Sequence, residues 1–259
     1  MKKAVSLPSF GKMAWRIVHR NYLAWKKYAL ASSVLNFGEP VLELLAFGYG
    51  LGTYIYLGRD MNYLVYLAPG LLAAFAMTSA SWDMAFCVHE RSHTSGVYEA
   101  MISAPVRPED IAGGEILWEG FRSALFGSVF LVMLALLGLV HSPLALLAPI
   151  LLFTTGLIFG PPAMVVALTA KTSEQMFFYF TLCLTPMFFF SGVYFPTTGL
   201  PPVAQMVVEI LPLSHVIRMM RLLLSGVPCD LLVEAAWILG WLSLSLLLPV
   251  RWLRKNLTC

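Results

Sequence analysis

Apolar residues gather into long runs at 29–57, 64–88, 113–140, 144–170, 176–196 and 229–250. Each run supplies about the 20 mostly apolar residues that a bilayer-spanning helix requires. A seventh apolar piece, 200–224, is cut by Pro201, Pro202 and Pro212 and carries Glu209, Arg218 and Arg221. Proline interrupts the helical ladder and charge is costly in lipid, so this piece is predicted as a re-entrant or interfacial pair of short helices. The expected fold is an all-α membrane protein. It has six transmembrane helices, an N-terminal amphipathic interfacial helix, and a re-entrant helical hairpin between spans five and six. Neither an internal repeat nor a Gly/Ser linker divides the chain, so 1–259 reads as a single transmembrane domain. It comprises an arm at 1–28, a polar inner segment at 88–112 and an external segment at 197–228.

Composition agrees with this. The chain is 59% hydrophobic and 12% charged, against about 45–50% and about 25% for soluble domains. A net charge of +3 gives no electrostatic footprint for nucleic acid. Residues 1–27 hold seven Lys/Arg and no apolar run, unlike a cleaved signal peptide. Phe10, Met13, Ile17 and Leu23 interleave with those basic residues, predicting an uncleaved amphipathic helix on the anionic inner leaflet. Thirteen Lys/Arg fall on the arm's side of the six spans and three (Arg59, Arg218, Arg221) on the other, with Arg122 inside the third span. That bias places both termini in the cytoplasm of a multi-pass inner-membrane protein. Trp25, Tyr28, Tyr54, Tyr56, Tyr63, Tyr66, Trp118 and Trp252 flank the spans as an interfacial belt. Cys87, Cys183, Cys229 and Cys259 follow no zinc or disulfide spacing.

The inner segment carries the chemistry that needs deciding. Val97, Met101 and Ala104 lie at helical spacing beside Tyr98 and Ile102, with Glu90, Arg91, His93 and Glu99 on the polar side. An amphipathic helix of about 15 residues over 90–104 fits this pattern, stopping at Pro105. Pro108, Glu109 and Asp110 then read as a new helix start. The run His89-Glu90-Arg91-Ser92-His93 also matches H-E-x-x-H, in which two histidines one turn apart bind zinc and the glutamate serves as base. That reading needs a third ligand. Asp83, Glu115 and Glu119 lie at a suitable depth, but none falls in a known spacing, and His19, His141 and His215 lie in the arm and outer segments. An intramembrane zinc protease using His89, Glu90 and His93 is therefore the alternative reading, and no metal site is expected under the preferred one.

Glu90-Arg91…Gly96-Val97-Tyr98-Glu99…Ala104-Pro105-Val106 resembles the E-R…G-x-x-E…x-P-V stretch of type 2 ATP-binding-cassette exporter permeases. Phe195-Pro196…Leu200-Pro201…Gln205…Leu211-Pro212-Leu213-Ser214-His215…Arg218…Arg221…Gly226 resembles the outer-loop signature of the branch that holds the nodulation-type lipo-oligosaccharide exporter permeases. The likeness runs over roughly 30–255. Gly96-Val97-Tyr98 departs from the commoner Gly-Thr-Leu or Thr-Trp pattern, and His89 and His93 belong to neither motif. The resemblance implies a transport subunit rather than an enzyme, pairing with a second copy of itself and with two ATP-binding-cassette ATPase subunits. The cargo implied is an amphiphilic glycan of lipo-oligosaccharide or polysaccharide type. The chain has no G-x-x-x-x-G-K-[ST] loop, so no cofactor is expected on it, and ATP and Mg belong on the partner. Under this reading 88–112 couples to the ATPase, with Glu90, Arg91 and Glu99 as rim contacts and Val97, Tyr98 and Met101 as anchors beside Gly96.

Polar residues inside spans are functional candidates. Asn36, Glu39, Glu43 and Gly50 share one stripe of the first span with Phe47 beside it, and either line the substrate path or seal a dimer seam. Asp83 is expected to tether a neighbouring helix. Span five is rich in aromatics, of which Phe188, Phe189 and Tyr194 are path candidates, and Thr185-Pro186 predicts a kink. In the external segment Ser214, His215, Arg218 and Arg221 share one helical side. Positive charge there runs against the topology rule, and is offset either by an anionic lipid or substrate or by Glu209 or a backbone carbonyl.

Overall fold

The computed structural model describes residues 7–52, 54–55, 62–250 and 252–253. The expectations placed on Lys2, Lys3, Tyr56, Arg59, Arg251, Arg254, Lys255 and Cys259 lie outside the described residues. Among those described, the chain is helical without a strand. Helix α1 covers Lys12–Lys26. Helix α2, Ala29–Glu43, passes directly into a π-helical stretch at Leu44–Leu51, and α3, Tyr63–His89, into another at Glu90–Thr94. The short α4, Val97–Ile102, precedes α5, Pro108–Leu136. A 3-10 turn at Pro143–Leu147 leads into α6, Ala148–Thr169. Then α7, Ser173–Tyr179, runs through a π turn at Phe180–Leu184 into α8, Thr185–Phe190. Helices α9, Pro202–Ile210, α10, Pro212–Ser225, and α11, Leu231–Leu246, complete the order.

Among the described residues, three helical stretches are long and apolar enough to cross a membrane: Tyr63–Thr94, Pro108–Leu136 and Pro143–Thr169. They correspond to predicted spans two, three and four. Leu231–Leu246 is apolar but shorter. The first and fifth predicted spans are continuous helical paths over 29–51 and 173–190, each altered by a π-helical stretch. The predicted kink near Pro186 coincides with the π turn before it. There the Phe180 carbonyl accepts both the Thr185 N–H, which closes the π turn, and the Thr185 hydroxyl at 3.1 Å.

Local signals account for several helix ends. The Asn62 side chain accepts from Leu64 N–H at 3.0 Å and opens α3. Prolines begin α5, α9 and α10, where a missing N–H costs nothing. The expected start at Pro108 is met, with the Arg107 N–H donating to the Asp110 carboxylate at 3.3 Å. The single helix expected over 90–104 is instead two pieces. Ser95 N–H closes the π turn onto the Glu90 carbonyl at 2.9 Å, and Gly96 then interrupts the helix in the left-handed region at φ +61°. A Cβ at Gly96 would meet only Glu99 Oε2, at 3.9 Å, so space is not what requires glycine there. The backbone conformation does. Gly96→Val is expected to destabilise the protein by about 1–2 kcal/mol, seen as a lower melting temperature in detergent. An unchanged melt would show that the turn at Gly96 tolerates an L side chain.

Helix α3 is the centre of the bundle, packed between α5, α6 and α10. Small residues make the close approaches possible, as between membrane helices generally. A Cβ at Gly156 of α6 would sit 2.6 Å from the Glu119 carbonyl oxygen of α5, and one at Gly70 of α3 would sit 3.1 Å from Val193 Cα. The predicted arm helix forms, but its buried face, Ala14, Ile17, Val18 and Asn21, packs along α5 rather than only on lipid. Gly114 of α5 admits Ile17, since a Cβ there would lie 2.6 Å from Ile17 Cβ. Ser9 N–H donates to the Glu109 carbonyl at 2.9 Å and ties the start of the arm to the first turn of α5. Phe10 and Leu23 from the predicted apolar stripe stay about half exposed.

Candidate functional site: the Glu115 junction

One carboxylate holds four elements together. Glu115 lies on the second turn of α5 and is 2% exposed. Its Oε1 accepts from Arg20 Nη2 at 2.9 Å and from the Tyr98 hydroxyl at 3.1 Å. Its Oε2 accepts from Asn21 Nδ2 at 2.7 Å and from Arg91 Nη1 at 2.6 Å. The four donors come from α1, from the π-helical stretch that follows α3 and from α4. They fill the roughly four lone-pair sites that a carboxylate offers. Arg20 also donates to Asn21 Oδ1 at 2.6 Å and reaches Met101 Sδ at 3.2 Å. Burial, with the adjacent Glu115 charge, pushes the Tyr98 phenol well above its ordinary pKa, so it remains a donor throughout the physiological range.

This arrangement divides the candidate residues of 88–112. Glu90, His93 and Glu99 are exposed on the outward face, and Gly96, Val97 and Met101 are half-buried. Arg91 and Tyr98 turn inward. Tyr98, expected as an anchor toward a partner, is fully buried within the chain, because its hydroxyl reaches Glu115. Arg91, expected as a rim contact, is spent on the same carboxylate. By sequence Glu115 is offered only as a depth-matched ligand for zinc; two arginines occupy it instead. A carboxylate near the start of a span, opposite basic residues in the arm and in the E-R pair, was the available signal.

The zinc reading is not supported. His89 Nδ1 is 3.2 Å from the Ala167 carbonyl, and the His89 and His93 rings stack at 4.5 Å with 27° between their planes. Stacked rings run their in-plane lone pairs side by side instead of converging them on one ion. No group of three His, Cys, Asp or Glu side chains suited to a metal occurs among the described residues, and a catalytic zinc site needs three protein ligands.

Deeper along α5, Arg122 pairs with Asp83 of α3 at 3.0 Å and lies 3.7 Å from Glu119. Asp83 thus tethers a neighbouring helix as expected. Asn36 does likewise: its Oδ1 accepts from Ser79 of α3 at 3.0 Å while its Nδ2 donates to the Ser32 carbonyl at 2.7 Å. Glu39 is exposed and Glu43 half-buried. Glu43 meets Tyr194, and Tyr194 packs with Phe47, Phe188 and Phe189 at ring distances of 4.8, 5.4 and 5.8 Å. Glu43, Phe188, Phe189 and Tyr194 therefore stand together, while Asn36 belongs to the α2–α3 contact.

The residues of the segment expected on the outer side mostly find partners within the chain. His215 Nδ1 lies 2.6 Å from Glu234 Oε2 and its Nε2 2.9 Å from the Glu209 carbonyl, with the ring stacked on Trp237. Arg218 makes a two-pronged contact with Glu209 at 2.8 and 3.1 Å. Arg221 donates to the Gly192 carbonyl and covers the Tyr66 ring at 3.9 Å. Ser214 is buried. Glu209 thus offsets the charge of Arg218, while Arg221 meets a backbone carbonyl and no carboxylate among the described residues.

These features define a helical membrane protein whose polar contacts lock helices together at both ends of the bundle. The ABC-2 type transporter family matches residues 13–224, and the chain belongs to that family. It is 36% identical over 223 residues to nodulation protein J of Rhizobium leguminosarum bv. viciae, covering 86% of each chain. It is 33% identical over 259 residues to nodulation protein J of Neorhizobium galegae, covering 98% of this chain and 97% of that one. A more distant relative is the inner membrane transport permease YadH of Escherichia coli K12, 24% identical over 214 residues, covering 81% and 80%. The chain is thus a membrane transport subunit rather than an enzyme in its own right.

Proposed function

We propose that this chain is the transmembrane subunit of an ATP-driven exporter that moves an amphiphilic glycan, of lipo-oligosaccharide or polysaccharide type, across a bacterial inner membrane. In this reading it crosses the membrane six times with both termini in the cytoplasm, and α9–α10 form the external re-entrant hairpin. Two copies assemble with two ATP-binding-cassette ATPase subunits, which carry the ATP and Mg. The observation that most supports the reading is the Glu115 junction. A surface pushed from below moves a span only if it is rigidly joined to it, and Glu115 joins α4, the end of α3 and the arm to α5 through charged, buried hydrogen bonds. Glu90 and Glu99 face outward from that junction and meet the ATPase. The Glu43, Phe188, Phe189 and Tyr194 group lines the cargo path, where aromatic faces slide along sugar rings and acyl chains.

The test is co-expression with the ABC ATPase subunit and purification through a tag on the permease. The paired change Glu90→Lys and Glu99→Lys is expected to reduce ATPase recovery about tenfold or more by placing repulsive charge at the contact, with little change in the permease melt because both side chains are exposed. Wild-type complexes in proteoliposomes are expected to raise ATP turnover when lipo-oligosaccharide is supplied. If the wild-type chain recovers no ATPase, the exporter reading fails. If it recovers ATPase but turnover ignores the glycan, the cargo assignment fails.

A further inference from the structure

The end of the bundle opposite Glu115 holds a cation without an acid. Tyr66 and Arg91 both lie on the α3 path, 25 residues apart, which at the helical rise is about 37 Å. Around Tyr66 opens a cavity of about 530 Å³ lined by Tyr66, Pro196, Arg218, Arg221, Asp230 and Glu234, with an apolar wall at 227–229. Arg218 in this wall is neutralised, by Glu209 at 2.8 Å and by Glu234 at 3.4 Å. Arg221 is not. Among the described residues its polar contacts are the Gly192 carbonyl and Tyr66, whose ring it also covers, and its Nε is buried with no hydrogen-bond partner. Gly192, at φ +86°, turns its carbonyl to accept from both Tyr66 at 3.1 Å and Arg221, which holds the guanidinium in place.

We propose that this cavity binds the phosphodiester monoanion of an amphiphile's headgroup, with Arg221 as its principal contact. A guanidinium offers a planar fork of donors that matches phosphate oxygens. The remaining charge in the walls limits the ligand. Asp230 stands in the same cavity and repels a dianion, which disfavours free phosphate. The same carboxylate accepts from headgroup hydroxyls, which favours a polyol phosphodiester. The volume falls in the range of small-ligand sites, about 300–1,000 Å³. It takes a headgroup and leaves the acyl chains outside. Two sources share this chemistry: phosphatidylglycerol of the membrane, and a phosphodiester carried by a transported amphiphile. The proposal is independent of the exporter reading, because the permease alone displays the site.

The test uses the purified full chain in detergent, with native mass spectrometry and thermal melts. The probes are dihexanoylphosphatidylglycerol, soluble glycerophosphoglycerol, dihexanoylglycerol and inorganic phosphate. Dihexanoylphosphatidylglycerol is expected to bind and raise the melting temperature. Arg221→Gln is expected to weaken that binding about tenfold or more, with Arg221→Lys intermediate. Val227→Trp, which fills the cavity and keeps Arg221, is expected to abolish it, so the result stands even if the Arg221 variants fold poorly. Phosphatidylglycerol carried through purification on the wild type and absent from Val227→Trp would identify the membrane as the source. Binding only of added headgroup would identify a free amphiphile. Equal response to dihexanoylglycerol, a response to inorganic phosphate as strong as to the phosphodiester, or binding that Arg221→Gln and Val227→Trp leave intact would overturn the proposal.

Discussion

Glu115→Ala is expected to destabilise the protein by about 3–5 kcal/mol, the usual cost of breaking a buried ion pair by removing one partner. Arg20 and Arg91 would be left facing each other without a shared counter-charge, with the Tyr98 hydroxyl and Asn21 amide unpaired. Their repulsion adds to the lost hydrogen bonds. The first consequence is a lower melting temperature. The second is local: α1 is bound to α5 through Glu115 and the Ile17–Gly114 contact, so the arm should loosen. Trypsin should then cut at Lys12, Arg16 and Arg20 sooner than in the wild type. Glu115→Gln keeps the shape and part of the acceptor capacity and should fall between. A double-mutant cycle sharpens the result. Tyr98→Phe should cost about 1 kcal/mol alone and much less once Glu115 is alanine, since partners in one network couple. A wild-type melt and unchanged arm proteolysis in Glu115→Ala would remove the junction from the account.

The second large effect is expected at the α5–α6 contact. A Cβ on Gly156 would lie 2.6 Å from the Glu119 carbonyl oxygen, 3.0 Å from its carbon and 2.9 Å from Ser123 Oγ. Two of these are backbone atoms, so rotamer changes cannot relieve the clash and the helices must separate. Overpacking of this kind costs about 1–3 kcal/mol, and Gly156→Val should lie at or beyond the upper end. Separation of α5 from its neighbours would also disturb the Ser123 to Ala76 contact, 3.4 Å long, that joins α5 to α3. Gly240→Ala is the matched control. Nothing lies within 4 Å of a Cβ there, and alanine is the better helix former by about 1 kcal/mol, so its melt should be unchanged or slightly higher. If Gly156→Val melts like Gly240→Ala, the close approach of α5 and α6 is not a constraint on this fold.

Helix α4 shows where sequence reading stops. Its apolar spacing was legible, and Pro105 and Pro108 bounded the segment correctly. The break at Gly96 is not legible in the sequence, because an isolated glycine inside a periodic pattern is compatible with a continuous helix and only the φ of +61° distinguishes the two. Tyr98, expected to anchor a partner, is buried within its own chain for a related reason. A tyrosine on the apolar side of an amphipathic helix has a buried position whether the cover comes from a partner or from its own chain. The choice depended on Glu115, 17 residues on, reaching back to it. The H-E-x-x-H match was chemically reasonable one turn at a time. It failed because His89 is drawn to the Ala167 carbonyl, 78 residues away.

What the chain decides unaided follows from solvent preference, which acts residue by residue. Apolar runs of spanning length, prolines that open α5, α9 and α10, and an amphipathic arm can all be recognised without knowing their neighbours. The motifs around Glu90 and Pro212 carried the family in the same way. What needed three dimensions was the partner of each buried charge. Glu115 could have met zinc, lipid or water, and Arg221 a carboxylate or a carbonyl. Each pairing is set by where remote helices place a donor within about 3 Å, a distance that sequence separation does not encode.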